Sequence, residues 1–226
     1  MTNNDLGREF FNRIQNKGNS TFKFIDWNNW NVNALQVSYE IPCKNGDDEF
    51  RPDATVFVNG LPLAYIEFKK PNAIRDGQTG MQSEFLRINK RFRNKAFKVF
   101  HNITQLIAFT YNMDYSEDFG MHTTGSYYCT ASYSKAFFNS MHEERPEELK
   151  NAITHITESD IKTVLKDANK IAIKDTAEFE TNCNPNTPAN SFLTSMFLKD
   201  RFRFFLHFGL AYDQVRDDKG TITLQK

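Results

Sequence analysis

Residues 51–71 hold the first candidates for chemistry in this 226-residue chain. They read RPDATVFVNGLPLAYIEFKKP, with Asp53 before one apolar run and Glu67 and Lys69 at the end of the next. Charged side chains are poor strand formers and gain nothing from a core, so their place here needs a reason. Two close carboxylates repel each other unless a cation lies between them, and their oxygens suit Mg²⁺. Such a metal polarises a phosphodiester and acidifies a bound water, which a nearby amine would orient. The residue types therefore point to metal-dependent phosphodiester hydrolysis.

The turn at residues 59–60 decides whether these side chains can converge. Asn-Gly is a strong signal for a β-hairpin. A two-residue loop would send Asp53 and Glu67 to opposite faces, because neighbours along a strand alternate. A three-residue loop with a bulge would set Asp53 opposite Tyr65 and diagonal to Glu67, and Lys69 would point the same way. The chemistry requires this second arrangement.

The rest of the chain alternates between helical and strand patterns, and its bulk properties are ordinary for a globular protein. Apolar spacing predicts an amphipathic helix that stops at Gly18, a half-buried strand, a turn, the hairpin strands, a second helix and a buried strand. One or two strands, two further helices, a turn-rich connector and a last apolar segment follow, and the second half of that segment reads equally as helix or strand. Along the chain these are a helix at 5–17, a strand at 35–41, a turn at 42–50, hairpin strands at 53–58 and 61–69, a helix at 77–94, a strand at 105–110, one or two strands at 118–133, helices at 146–157 and 158–171, the connector at 182–190 and the last apolar segment at 192–210.

The helix predicted at 77–94 has an apolar back and a basic front. Met81, Phe85, Ile88 and Phe92 recur at helical spacing. A basic face of this kind is either a solvated surface or a set of phosphate contacts that positions duplex DNA without reading its sequence. We favour the phosphate contacts because the helix directly follows the candidate site. The polar positions assigned to this front are Gln82, Arg87, Lys90 and Arg91.

Charge, cysteine and hydropathy patterns exclude several classes of function. Lys plus Arg and Asp plus Glu both number 28, so the net charge is zero and the whole surface cannot bind polyanions. The three cysteines lie far apart and offer no zinc pattern or disulfide framework, and the histidines lack ligand spacing. Apolar runs are too short to cross a bilayer, and the N-terminus lacks a signal pattern. These features predict a cytoplasmic protein with no membrane partner.

Residues 51–71 also resemble a known family. Pro52-Asp53 followed by Glu67-Phe68-Lys69 resembles the PD-(D/E)xK nuclease signature. The fuller string resembles the N-terminal nuclease region of the type I restriction endonuclease motor subunit, the HsdR family, with a fainter likeness over 77–92 and the strand near 105. The resemblance implies an α/β fold with a PD-(D/E)xK restriction-endonuclease-like core, a mixed central sheet flanked by helices, and additional C-terminal helices. It implies a single nuclease domain over 1–226, with its core at about 20–135 and, at about 136–226, a helical elaboration and connection toward a motor that is absent from this chain.

The family's functional residues carry over onto matching positions of this chain. The resemblance implies that Asp53 and Glu67 are ligands of Mg²⁺ and that Lys69 is the catalytic lysine. Gln82 falls where the family has the glutamine of a Gln-x-x-x-Tyr element, but Leu86 stands in place of the tyrosine. We therefore expect a site of Asp53, Glu67, Lys69 and Gln82.

The resemblance also implies a function and partners. It implies an Mg²⁺-dependent endonuclease domain of a type I restriction enzyme, which hydrolyses phosphodiester bonds of foreign, unmethylated double-stranded DNA within an ATP-driven translocating complex. The partners are then the specificity and methylation subunits. No GxxxxGK[ST] phosphate loop occurs in this chain, so ATP binding is expected only in the full-length subunit.

Three other interpretations remain open. The charged strand residues can form a solvated face with cross-strand ion pairs, which is a common use of such residues. The chain can be a non-catalytic DNA-binding or assembly module of the same fold, or a stand-alone repair nuclease. Two further charged residues, Glu40 and Lys70, are expected to be exposed neighbours of the site rather than parts of it.

Overall fold

The helices of the computed structural model flank a central sheet. The structure describes residues 6–17, 22–69, 74–75, 78–111, 117–118, 121–122, 125–130, 136–141, 147, 151, 156–216, 218, 220 and 222–225. Its main helices are α1 (Leu6–Ile14), α2 (Gly80–Arg93), α3 (Lys98–Ile103), α4 (Glu158–Asp167), α5 (Ala177–Asn182), α6 (Pro188–Phe197) and α7 (Lys199–Phe208). Short 3-10 turns lie at Trp30–Val32, Lys95–Phe97 and Ile171–Ile173. Among the described residues, no helix is long and apolar enough to span a bilayer.

Six strands form one mixed sheet, and the others pair in twos. The strands are β1 (Leu35–Tyr39), β2 (Cys43–Asn45), β3 (Asp48–Phe50), β4 (Ala54–Val58), β5 (Leu61–Lys69), β6 (Ile74–Arg75), β7 (Gln78–Thr79), β8 (Leu106–Tyr111), β9 (Glu117–Asp118), β10 (Met121–His122), β11 (Ser126–Cys129), β12 (Asn139–Ser140), β13 (Asp213–Arg216) and β14 (Ile222–Gln225). The sheet order is β1-β4-β5-β8-β11-β12, with β5 and β8 parallel and the other neighbours antiparallel. The predicted α/β fold with a mixed sheet is confirmed.

The β4–β5 hairpin reaches the required geometry by a route the sequence analysis did not predict. Asn59 and Gly60 both have positive φ, 51° and 79°, and form a two-residue turn that pairs Val58 with Leu61. The predicted three-residue loop is therefore wrong. A register shift between Val56 and Phe57 instead leaves Leu63 as an extra residue.

This bulge restores the shared face that a two-residue loop alone would lose. Beyond it Ala54 pairs with Ile66, so the register continued by one residue sets Asp53 opposite Glu67. Residues paired across a ladder share a face of the sheet. Asp53 and Glu67 therefore lie on the same side of the two-stranded ribbon formed by β4 and β5. They are at the end away from the Asn59–Gly60 turn, which we call the open end.

The sheet has a separate apolar core on each face. One core joins Val56, Val58, Ala64, Ile66 and Leu106 to residues of α1, α6 and α7, among them Ile14, Phe192 and Phe202. The other joins Tyr65, Ile107 and Phe109 to Ile88 and Phe92 of α2 and to Phe97. Glu67 pairs with Phe109 and lies two residues after Tyr65, so it belongs to the second face. The open end of the ribbon is thus covered by α2.

Strand β1 forms where predicted, but its prediction as half-buried is wrong. Leu35, Val37 and Tyr39 are 38%, 58% and 55% exposed. The strand is at the edge of the sheet, and these side chains line an apolar groove of about 310 Å³ together with Phe197 and Phe202. The alternating pattern identified the apolar face correctly, but burial depends on a covering layer that the described residues only partly supply.

The remaining predictions meet mixed outcomes. Residues 42–50 are not a simple turn, because β2 and β3 form a hairpin around Gly46, whose φ is 63°. Their strands have only three residues each, too few for an alternating pattern to identify them.

The second helix, the buried strand and the helix from 158 are confirmed, and β9, β10 and β11 lie within or beside the range 118–133. The segment 192–210 is helical in both halves, since Phe202 and Leu206 are buried at helical spacing. Gly18 and most of the helix predicted at 146–157 lie outside the described residues.

Candidate active site

Asp53 lies just before β4 and is tied to the opposite strand by the backbone. Its Oδ2 accepts a hydrogen bond of 2.6 Å from the backbone N–H of Phe68. A charge-assisted bond to a fixed N–H orients the carboxylate without involving another side chain. Asp53 therefore faces the end of β5 that carries Glu67 and Lys69.

Glu67 is a charged residue in an almost fully buried position. Only 2% of its surface is exposed. Its Oε1 accepts a 2.8 Å bond from the guanidinium of Arg91, and its Oε2 lies 3.3 Å from Lys69 Nζ. Burial raises the pKa of Glu67, and the charges of Glu84 and Asp53 raise it further, whereas Arg91 and Lys69 act in the opposite direction. The carboxylate thus sits where additional positive charge would be favourable.

Glu84 of α2 is a site residue that the sequence analysis missed. It is fully buried, and its Oε2 lies 3.0 Å from both Lys69 Nζ and Arg87 Nη1. The signal was present in the sequence, because Glu84 follows Met81 by three residues and precedes Ile88 by four. That spacing places an acid within the apolar stripe of the helix, and buried charges are paired.

Two carboxylates and two cations alternate around a closed ring at this end of the ribbon. Lys69 Nζ bridges Glu67 and Glu84, at 3.3 and 3.0 Å. Arg91 Nη1 bridges the same two acids on their other oxygens, at 2.8 and 3.4 Å. We call these four residues the charge ring. Each charge in it has two opposite partners, which compensates for the desolvation of burying it.

Arg91 is not on the exposed helix face to which the sequence analysis assigned it. It is 8% exposed, and its guanidinium lies 4.7 Å from the ring centroid of Phe50. Burial acts to lower the pKa of Arg91, but the charges of Glu67, Tyr65 and Glu84 outweigh it and the net direction is upward. Because Arg91 lies seven residues after Glu84, helical periodicity puts it on the same buried face. Arg91 also lines the basic groove described below, so its role as a phosphate contact stays a prediction.

The other predicted residues divide between the exposed face and the undescribed part of the chain. Arg87, with 54% of its side chain exposed, and Lys90 lie on the surface of α2 as predicted. Glu40 is exposed, as expected. Gln82 belongs to α2, but its side chain is outside the described residues, as is Lys70.

A basic groove runs beside the charge ring, between α2 and the β2–β3 hairpin. Its volume is about 560 Å³. Arg51 precedes β4 and also lines the groove, although sequence patterns did not single it out. The acids Asp48 and Glu49 are held by Asn94 and Arg51, at 2.9 and 3.5 Å. The basic side chains of the lining are Arg51, Arg87, Lys90, Arg91 and Arg93.

The donor chemistry of Asp53 and Glu67 fits a hard divalent cation. Within the ranges that the structure describes, no three or more His, Cys, Asp and Glu side chains are grouped to hold a metal. Two carboxylates on one face are nonetheless the ligand set with which Mg²⁺ commonly combines waters and phosphate oxygens. The raised pKa of Glu67, caused first by burial and then by neighbouring carboxylates, is a condition that a cation would relieve.

Comparison with known proteins identifies the family of this chain. Residues 1–137 match the family model described as the type I restriction enzyme R protein N terminus. A Methanocaldococcus jannaschii protein named as the MjaVIIIP endonuclease subunit of a type I restriction enzyme is 29% identical over 87 residues, which are 38% of this chain. The match spans 8% of that relative's length. With its mixed sheet and charged ribbon end, this chain belongs to the family of type I restriction enzyme R protein N-terminal domains.

Proposed function

We propose that this chain is an Mg²⁺-dependent endonuclease domain that hydrolyses phosphodiester bonds of double-stranded DNA. The observation that carries the proposal is the arrangement of Asp53, Glu67 and Lys69 at one open end of the β4–β5 ribbon. Membership of a restriction enzyme family supports a nuclease role. The open end also lies beside a basic groove, so that a bound strand would pass close to the carboxylates.

Each residue of the proposed site has a distinct part in the reaction. Asp53 and Glu67 would hold Mg²⁺, which when bound polarises the phosphodiester and acidifies a water. Lys69 Nζ, 3.3 Å from Glu67 Oε2, would neutralise the negative charge that develops on the scissile phosphate. Gln82 is the proposed fourth residue, because it falls where the family has the glutamine of its Gln-x-x-x-Tyr element.

The groove supplies the proposed contacts with DNA. Arg87 and Lys90, joined by Arg51 and Arg93, present positive charge without a base-reading element, so they would contact phosphates. Each phosphate contact steepens the salt dependence of binding by about 0.9 in the logarithmic slope. Binding by this chain should therefore weaken steeply with salt and vary little with sequence.

The greater length of the relative and its name suggest the proposed assembly. We infer that specificity and methylation subunits choose the DNA and that an ATP-driven motor in the full-length subunit delivers it. Cleavage would then be directed at unmethylated foreign DNA. These partners and the use of ATP are proposed from the family and from the restriction-enzyme name of the relative.

The first experiment measures cleavage and metal binding together. Supercoiled plasmid is incubated with the chain and Mg²⁺, alone and with the other subunits of its restriction complex, and Mn²⁺ binding is followed by calorimetry. Lys69→Met should slow cleavage by about 10²- to 10⁴-fold, the range typical of a positioned catalytic group. Asp53→Asn and Glu67→Gln should weaken Mn²⁺ binding, whereas Lys69→Met should not.

Asp48→Asn is the matched control, because Asp48 is an acid that lines the groove but lies outside the charge ring. It should bind Mn²⁺ as the unmodified chain does. Equal cleavage by Lys69→Met and the unmodified chain, or Mn²⁺ binding that Asp53→Asn leaves unchanged, would contradict the proposal.

A non-catalytic DNA-binding module is the second candidate. It is favoured by one observation, that both oxygens of Glu67 already have cationic partners in Arg91 and Lys69. Under this candidate the chain binds DNA in a salt-dependent manner but does not cleave it, and metal binding does not depend on Asp53. The same experiment separates the two candidates.

A further inference from the structure

We propose that Glu84 is a positioning residue for the reaction. It holds the ammonium group of Lys69 where that group would act on the scissile phosphate. The inference rests on the proposed nuclease function and deepens it. Its basis is the 3.0 Å contact between Glu84 Oε2 and Lys69 Nζ, which is shorter than the 3.3 Å contact of the same ammonium with Glu67.

Lys69 needs a positioning residue because its side chain is flexible. A lysine side chain has a flexible four-carbon stem and three donors that can turn toward any acceptor. A catalytic group that is fixed before the substrate arrives loses less conformational freedom during the reaction. Lys69 is near the end of β5, and its side chain is 14% exposed. The backbone of β5 alone leaves the end of that side chain unplaced.

Glu84 is itself held in place by cations, as a residue that positions Lys69 must be. Its Oε2 contacts Lys69 and Arg87, and its Oε1 lies 3.4 Å from Arg91. Both oxygens are therefore taken by cations from three directions, in a side chain with no exposure to solvent. The carboxylate is itself immobilised, as a positioning group must be.

The position of Glu84 also links Lys69 to the DNA groove. Arg87, which contacts the same Glu84 oxygen as Lys69, lines the groove. The two cations thus share one carboxylate oxygen, with Lys69 in the charge ring and Arg87 at the proposed path of the phosphates. Glu84 therefore sets the spacing between the group that would act on a phosphate and a group that would hold the strand.

The first test needs no nuclease activity. Acylation of surface amines by N-hydroxysuccinimide acetate is followed over time, with tandem mass spectrometry resolving Lys69 from Lys70. Glu84→Gln should make Lys69 react at least about threefold faster, because the ammonium loses a charge-assisted bond. Circular dichroism verifies the fold, and Glu84→Asp, which shortens the carboxylate, is measured if Glu84→Gln does not fold.

Glu158→Gln is the matched control for labelling. Glu158 is the first residue of α4, outside the site, and it also has two lysine partners, Lys162 at 3.0 Å and Lys174 at 3.1 Å. Its substitution should speed labelling of those two lysines and leave Lys69 unchanged. An unchanged rate at Lys69 in the folded Glu84 variant would overturn the proposal.

The second test is a double-mutant cycle on single-turnover cleavage at saturating DNA. Glu84→Gln should slow the cleavage step by about tenfold or more, as substitutions of orienting groups commonly do. In a Lys69→Met background the same change should have no further effect, because its target is gone. An equal loss in both backgrounds would show a role apart from Lys69 and would also overturn the proposal. If the unmodified chain and its complex do not cleave DNA, the nuclease proposal fails, whereas the labelling result still decides whether Glu84 holds Lys69.

Discussion

The two ends of the β4–β5 ribbon satisfy their polar groups in opposite ways. At the turn, the Asn59 side chain accepts from the backbone N–H of Ala34 and donates to the carbonyl of Phe24 and to Asn33 Oδ1, all at 2.8 Å. At the open end, Glu67 and Lys69 are compensated by charged side chains of α2. One end uses mainly neutral groups and backbone, and the other uses buried ions.

This difference determines which end can change its polar partners without unfolding. Backbone partners cannot leave Asn59 without local unfolding, so the turn is a fixed feature of the fold. Side-chain partners can rotate away, and the ions at the open end gain from any additional compensating charge. Buried ionic groups add little net stability but cost much when one partner is lost. The open end is therefore where we propose that a charged ligand binds.

The largest expected effect is the loss of Arg91 from the open end. Arg91→Met leaves Glu67 and Glu84 with one bridging cation fewer, and removing one partner of a buried ion pair typically costs about 3–5 kcal/mol of the free energy of unfolding. Arg87→Met is the control, since Arg87 contacts the same Glu84 from an exposed position and should cost less than about 1 kcal/mol. Urea denaturation measures both. Equal losses would mean that burial does not distinguish the two arginines.

A smaller effect is expected at the turn. Asn59→Ala removes three side-chain hydrogen bonds and places a residue without αL preference at a φ of 51°, which should cost about 2 kcal/mol. Asn59→Gly tolerates this φ and isolates the loss of the hydrogen bonds. In both variants the remaining folded protein should keep its rate of DNA cleavage. A large fall in the cleavage rate of the folded fraction would break the division between a structural end and a reactive end.

The smallest effect is a pH dependence located at Glu67. Burial raises the pKa of this carboxyl above its ordinary value of 4.5, so in the window between the two values the folded chain binds more protons than the unfolded chain. The free energy of unfolding contributed by Glu67 is then fully present below pH 4.5 and lost as pH rises through the raised pKa. Denaturation of the unmodified chain and of Glu67→Gln across this window should show the unmodified chain losing stability relative to the variant. A difference that is constant or grows in favour of the unmodified chain would contradict this sign.

Much of the fold followed from local patterns. Periodicity predicted α1, α2, β1 and β8, and the Asn-Gly signal located the central hairpin, because these features depend on neighbours within one turn or one strand. The short β2–β3 hairpin and the helical form of α7 did not follow. Three-residue strands carry too little alternation to be recognised. The Arg201–Phe208 pattern is compatible with both helical and strand periodicity, and only the packing of the folded chain distinguishes them.

The sequence by itself determined the residue types of the proposed site and their place at one end of a ribbon. Asp53, Glu67 and Lys69 are close in sequence, and strand geometry relates them directly. Tertiary structure alone decided the rest, namely the bulge at Leu63 that turns Asp53 toward Glu67 and the packing of α2 that delivers Glu84 and Arg91. The reason is physical, since a register shift depends on how two strands pair and buried ions depend on which helix face meets the sheet.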